Sequence, residues 1–326
     1  MSKLLFSKTL EELFDKIKWN ELFKKGEKIC VKLHMGEKGN KFFLRPEYIK
    51  KVIAKLKSIG VEPFLFDSPT TYKGARHTVE QYLQTASEHG FTEEAVGCPI
   101  VISNEGLTVK GKYYDIDICK PQVDADGVLV FSHVKGHRCS GFGCAVKNLG
   151  MGSLTKETKG RIHAGGEPVY VGECNQCGEC VRHCNTKNIK LGYDGPEFGQ
   201  TFCAGCSNCA IFCPTKAIKP KVDYFDWLLA EGAVSAYKLF KKSYYINAVV
   251  QISDRCDCDD AKKIVAQDIG YLAGEDPVAI DTASIELINK QEGKNVFLEE
   301  NKKDPLTHVK DAEKLGMGSA EYEVEM

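Results

Sequence analysis

An α/β domain with a mainly parallel sheet, interrupted by a second, small α+β unit, is the fold that three features of this 326-residue chain predict. Short apolar strand signals alternate with amphipathic helical ones from residue 28 to residue 134, the pattern of repeated strand–helix–strand units. Cysteines then crowd one central segment. Beyond that segment the α/β signals resume, and neither flank alone has enough strands to complete a sheet.

KICVKLHM (28–35) reads as a buried strand, a short apolar run with β-branched residues. Pro46 opens a helix to about Ile59, with Tyr48, Ile49, Val52, Ile53 and Leu56 on one face and Gly60 as its stop. VEPFLFD (61–67) is a second strand, HTVEQYLQTASEHG (77–90) a second helix, and CPIVISN (98–104) and GVLVFSHV (127–134) two further strands. After the cysteines, YYINAVVQIS (244–253) reads as a strand and DIGYLAG (268–274) as a short strand or loop. DPVAIDTASIELINKQ (276–291) is a helix with Asp276 as N-cap and Pro277 in the first helical position. The expected division is a discontinuous α/β domain over 1–170 and 222–326, and a cysteine unit over 171–221. Three consecutive modules are the alternative.

Lys plus Arg is 44 and Asp plus Glu 45, a formal net charge of -1. Such a balance offers no general footprint for nucleic acid or an anionic membrane. At 43% hydrophobic and 27% charged residues the composition is that of a water-soluble globular protein. Charges interrupt every apolar run of the N-terminus, and no stretch approaches a membrane span. A cytoplasmic location is expected.

Fifteen cysteines in a reducing compartment point to metal rather than disulfides, and eight of them fall between 174 and 213. CNQCGECVRHC supplies Cys174, Cys177, Cys180 and Cys184; CAGCSNCAIFCP supplies Cys203, Cys206, Cys209 and Cys213. Both follow the C-x2-C-x2-C-x3-C spacing of two-cluster ferredoxins. The flanks repeat too, CNTKNI against CPTKAI, which marks an internal duplication. Three cysteines on a tight loop can reach three irons of one cubane, while the fourth points to the other cubane. The expected cofactors are therefore two [4Fe–4S] clusters, one on Cys174, Cys177, Cys180 and Cys213, the other on Cys203, Cys206, Cys209 and Cys184. The unit is then a ferredoxin-like α+β domain. Zinc is the competing reading for paired CxxC, and two complete repeats with a Cys-Pro closure count against it. Asn185 stands where a proline is usual.

The chain resembles the Fe–S centre proteins that carry the domain of unknown function 362. The matching stretches are VKLHMGEKGN (31–40), FDSPTTYKGAR (66–76), SEHGF (87–91), SHVKGHRCSGFGCAVKNLGMG (132–152), both cysteine groups and DIGYLAGEDPVAIDTAS (268–284). The resemblance implies an α/β domain with an inserted two-cluster ferredoxin, and no particular reaction. SPTTY departs from the family's more usual Asp-Thr-Asn-type loop. Cys139 and Cys144 stand where small residues are more usual.

Open α/β sheets bind ligands beyond the carboxyl ends of their strands. There lie His34, Gly36 and Glu37; Asp67, Ser68 and Thr70; and Lys135, Gly136 and His137. The glycine-rich stretch that follows adds Lys147 and Asn148, without a Walker or GxGxxG spacing. His34, Lys135, His137, Lys147 and Asp281 are the expected catalytic residues, with Lys32 and His163 as further candidates. The bland alternatives are ion pairs, turns and, for Asp281, a first-turn acid favoured by the helix dipole. Cys256 and Cys258 form a C-x-C turn that, with Cys139 and Cys144, is either a third metal site or a set of free thiols. The expected function is electron relay through two clusters to or from a site in the α/β domain, an oxidoreductase with a small-molecule substrate and a redox partner protein, with no nucleic acid and no membrane. The alternative is a dedicated electron carrier or maturation partner whose α/β domain docks another protein.

Overall fold

The computed structural model describes residues 1–325. Eight strands form one sheet, in the order Tyr322–Glu325, Ser2–Ser7, Gly270–Gly274, Ser243–Val249, Gly127–His133, Lys28–Lys32, Glu62–Asp67 and Ile100–Ile102. Every pairing is parallel except the two that flank Gly270–Gly274. The mainly parallel α/β reading therefore holds. Strands from both sides of the cysteine segment lie in this one sheet, with Ser243–Val249 paired directly to Gly127–His133.

Both faces of the sheet are covered, so its strands alternate between two cores rather than between core and solvent. Ile29, Val31, Leu65, Leu129, Phe131 and Ile246 face the helix Pro46–Ser58. Cys30, Phe64, Phe66, Val128, Val130 and Tyr245 face the opposite layer. That layer holds the helices Ala145–Gly152, Phe225–Tyr237, Pro277–Glu292 and Thr307–Lys314. Asp276 caps Pro277–Glu292 by accepting from the N–H groups of Val278 and Ala279 at 2.9 and 3.0 Å. The two outer strands at one edge and the helix Phe225–Tyr237 are not evident from periodicity. SKLLFS has no β-branched residue, and FDWLLAEGAVSAY is apolar on nearly all sides because it is buried on nearly all sides.

The cysteine segment has its own small core, built on Cys180, Ile189, Cys209, Ala210, Cys213, Ala217 and Ile218. The duplication seen in the sequence is also a backbone repeat. Helices Glu179–Arg182 and Asn208–Ile211, and strands Ile189–Leu191 and Ile218–Pro220, stand at the same 29-residue offset as the two cysteine groups. Gln176 and Gly205, Gly178 and Ser207, and Lys187 and Lys216 all have positive φ, again at that offset. Among the described residues no helix is long and apolar enough to cross a membrane.

Candidate active site

Strand ends, one hairpin and the helices Ala145–Gly152 and Lys156–Gly165 converge on a cavity of about 130 Å³. Lys32 and Asp67 end adjacent parallel strands. Each contributes a buried side chain, and the two pair at 3.0 Å. Lys32 Nζ also donates to Asn148 Oδ1 at 2.6 Å, and Tyr82 donates its hydroxyl to Asp67. Burial alone would raise the Asp67 carboxyl. Lys32 and Lys159 outweigh it and hold that carboxyl below the usual range. The room for Lys32 comes from Gly152, where a Cβ would lie 2.3 Å from Nζ.

His34, Lys135, His137 and Lys147 all line this cavity. Asp281 does not. It is fully buried at one end of the helix Ala145–Gly152, where its carboxylate accepts from the N–H groups of Ala145 and Val146, both at 2.9 Å. Asn247 donates to it from the sheet at 2.9 Å. Asp281 thus anchors the helix that carries Lys147 and Asn148. It lies one turn into its own helix, past the first turn where the helix dipole would favour an acid, and what it meets there is set by the tertiary fold.

The walls are rich in hydrogen-bond donors. His34 Nδ1 accepts from the Gly36 N–H at 3.0 Å, which leaves its hydrogen on Nε2, and among the described residues Nε2 has no partner. His137 Nδ1 lies 3.1 Å from the Ser140 nitrogen and 2.8 Å from the Ser140 hydroxyl. Burial first, then nearby cations, push both imidazoles well below their ordinary range, so both are neutral at pH 7. Lys159 donates to Ser68 Oγ at 2.7 Å and to the Pro69 carbonyl at 2.7 Å. Arg76 pairs with Glu37 at 3.1 Å. Among the described residues neither Lys147 nor Lys159 has a carboxylate partner, and burial lowers each to about 8. The cavity therefore carries excess positive charge and suits an anionic ligand.

The C-x-C turn forms the remaining wall. Asp257 pairs with Lys135, with His133 Nδ1 3.2 Å away. Asn40 holds the Cys256 carbonyl at 3.3 Å and Tyr72 the Cys258 carbonyl at 3.1 Å. Cys256 and Cys258 are joined as a disulfide. Cys139 and Cys144 are buried apart from it as free thiols. Arg76, Lys159 and Asp257 carry weight here that the sequence does not announce. Lys159 sits in KETKGR, which reads as a solvated helical face.

The cysteine segment abuts this site. Cys139, two residues from His137, has its thiol against that of Cys206. His163, a cavity residue, lies with Nδ1 2.8 Å from the Ala204 carbonyl. Gly205 has φ +61°, and a Cβ there would stand 1.8 Å from the His163 carbonyl oxygen. Asn185 donates to the Arg138 carbonyl at 2.6 Å, a bond that the proline usual at that place could not make.

The model of the domain of unknown function DUF362 matches residues 29–286. The chain belongs to this family. From residue 29 to 286 the DUF362 match takes in the sheet strands up to Gly270–Gly274 and the whole cysteine segment, and leaves out Ser2–Ser7 and Tyr322–Glu325. No curated protein matches the chain. Two solved structures are similar to it, a Thermotoga maritima protein and the lactate racemase apoprotein from Thermoanaerobacterium thermosaccharolyticum. The first is 10% identical with a TM-score of 0.44, covering 94% of this chain and 59% of that one. The second is 13% identical with a TM-score of 0.43, covering 89% of this chain and 58% of that one. This chain thus spans somewhat over half the length of either.

Proposed function

We propose that this DUF362 protein relays electrons through two [4Fe–4S] clusters to or from the cation-lined cavity, as an oxidoreductase acting on a small anionic substrate. The observation that carries the reading is the contact between the second cysteine group and the cavity wall, through Cys139 against Cys206 and His163 against Ala204.

The cysteines fit the cofactor. Cys174, Cys177, Cys180 and Cys213 line one common hollow, although Cys213 belongs to the other sequence group. Cys184 in turn lies with Cys203, Cys206 and Cys209, whose proximity adds to burial in raising the Cys209 thiol. Backbone N–H groups already point at sulfurs, Gln176 to Cys174 and Gly205 to Cys203 at 3.4 Å, and Asn188 to Cys184 at 3.1 Å. Such donors tune a cluster's potential. Bound clusters supply one-electron transfer. The protein's own residues do the rest: Lys147, Lys159 and Arg76 hold the anion, and the neutral His34 and His137 beside them give it hydrogen bonds. An exposed Cys177 leaves the first cysteine group open to a redox partner protein.

Anaerobic purification should give about eight iron and eight sulfide per chain. Cys184→Ser should perturb the EPR signal of the cluster held by Cys203, Cys206 and Cys209, and Cys213→Ser that of the other. Two zinc per chain with negligible iron would end the proposal.

A further inference from the structure

The disulfide between Cys256 and Cys258 is the feature that the relay does not use. A bridge closing so short a loop removes less entropy from the unfolded chain than one closing a long loop, so stabilisation is a weak account of it. It is not on the surface either. Both sulfurs face the cavity, among its cations. We infer that Cys256 and Cys258 are a dithiol–disulfide exchange centre, serving small thiols or disulfides that carry an additional negative charge.

The two sulfurs are not equivalent. Cys256 is buried, receives the Cys258 N–H at 3.1 Å, and has Lys147 Nζ at 3.4 Å. Cys258 is half-buried, with the same ammonium at 3.8 Å. An incoming thiolate therefore attacks Cys258 Sγ. A bond forms between the substrate sulfur and Cys258, the Cys256–Cys258 bond breaks, and its electron pair leaves on Cys256 Sγ as a thiolate beside Lys147. A better-stabilised leaving thiolate departs faster. A second substrate thiolate then attacks the substrate sulfur of the mixed disulfide and releases Cys258. Two thiols are oxidised to one disulfide and the cysteine pair is reduced. The reverse sequence reduces a substrate disulfide. Although burial lowers Lys147 to about 8, it is still mostly an ammonium at neutral pH.

His137 is the titratable group beside the pair. One of its ring nitrogens and both sulfurs lie within 4.8 Å of one another, a set that could hold an ion. Its Nδ1 is occupied by Ser140, whose N–H lies 3.1 Å and whose hydroxyl lies 2.8 Å away, so Nε2 is the nitrogen left for the sulfurs. With its hydrogen there, this neutral imidazole donates a hydrogen bond to a thiolate. The cations at Lys147, Lys159 and Arg76 set the specificity, since a substrate with a second charge gains where a neutral one does not.

The test uses the purified full chain with its metals intact. Differential alkylation and peptide mass spectrometry should find the Cys256–Cys258 peptide two hydrogen masses light, and opened reversibly by dithiothreitol. At equal thiolate concentration, 2-mercaptoethanesulfonate should open it roughly tenfold faster or more than 2-mercaptoethanol. Lys147→Met should remove most of that preference and shift the pH profile of Cys256 alkylation upward, which a merely structural lysine would not do. Two thiols that never close under oxidised dithiothreitol would overturn the inference, as would equal rates for the two reagents. One non-iron metal per chain, lost in Cys256→Ser, would replace it with a metal site. Iron content measured on the same sample distinguishes failure of the exchange centre from failure of the electron relay, because the exchange chemistry does not need the clusters.

Discussion

Lys32 and Asp67 are both almost completely buried, and a buried pair is held by the mutual need of its members more than by net attraction. Lys32→Met would leave the Asp67 carboxylate with the Tyr82 hydroxyl and the more distant Lys159. The expected loss in urea unfolding is about 3 kcal/mol or more. Replacing both partners by Lys32→Met and Asp67→Leu should cost clearly less, since no charge is stranded. A loss below about 1 kcal/mol for the single variant would mean that water or Lys159 solvates Asp67 and that the pair is not the centre of this wall. Residues of this kind are legible in the sequence as charges at strand ends. Their pairing is not, because Lys32 finds Asp67 across adjacent strands and Asn148 from a helix more than a hundred residues away.

The helix Ala145–Gly152 brings Lys147 and Asn148 to the cavity, and Asp281 fixes its start. Burial raises the Asp281 carboxyl to about 6, against an unfolded value near 3.9. A folded value above the unfolded one means that the folded state binds the proton more tightly. This contribution to stability is full below about pH 4 and is lost as pH rises through about 6. The amplitude is roughly 3 kcal/mol. In Asp281→Asn this part of the pH dependence should vanish, so that wild type and variant differ in slope between about pH 4 and 6 in denaturant titrations. Parallel curves would show that Asp281 titrates as an ordinary acid. Sequence reasoning groups Asp281 with His34, Lys135, His137 and Lys147 because all five sit at inward-facing ends of elements. The strand-end rule finds four residues that share a cavity, since a parallel sheet aligns its strand ends. It cannot separate a helix anchor from a cavity wall. Arg76, Lys159 and Asp257 escape it because they arrive from loops and a helix whose charges look solvent-facing.

At the scale of the whole molecule, the chain has two large cores on either side of the sheet and a third, much smaller one in the cysteine segment. The large cores draw almost wholly on residues outside that segment, with Ala204 and Cys206 packed only at the margin of one. The third has three cysteines among its seven buried residues and few large apolar side chains. So small a core cannot offset the conformational entropy of its own chain. If the cysteines hold clusters, the metal supplies that stability, as binding free energy becomes folding free energy. Anaerobic removal of iron should therefore unfold residues of about 168–221 while the eight-stranded sheet survives. Native-state hydrogen exchange followed by mass spectrometry reads this directly. Amides of Ile189–Leu191 and Asn208–Ile211 should lose protection on iron removal, and those of Lys28–Lys32 and Gly127–His133 should keep it. Protection near His163 and Arg138 should fall to an intermediate degree, because their carbonyls meet the cysteine segment at Gly205 and Asn185. Loss of protection throughout the sheet would show one cooperative unit. Unchanged protection at Ile189–Leu191 would show that the small core stands without metal, and that would count against a cluster as its organising element.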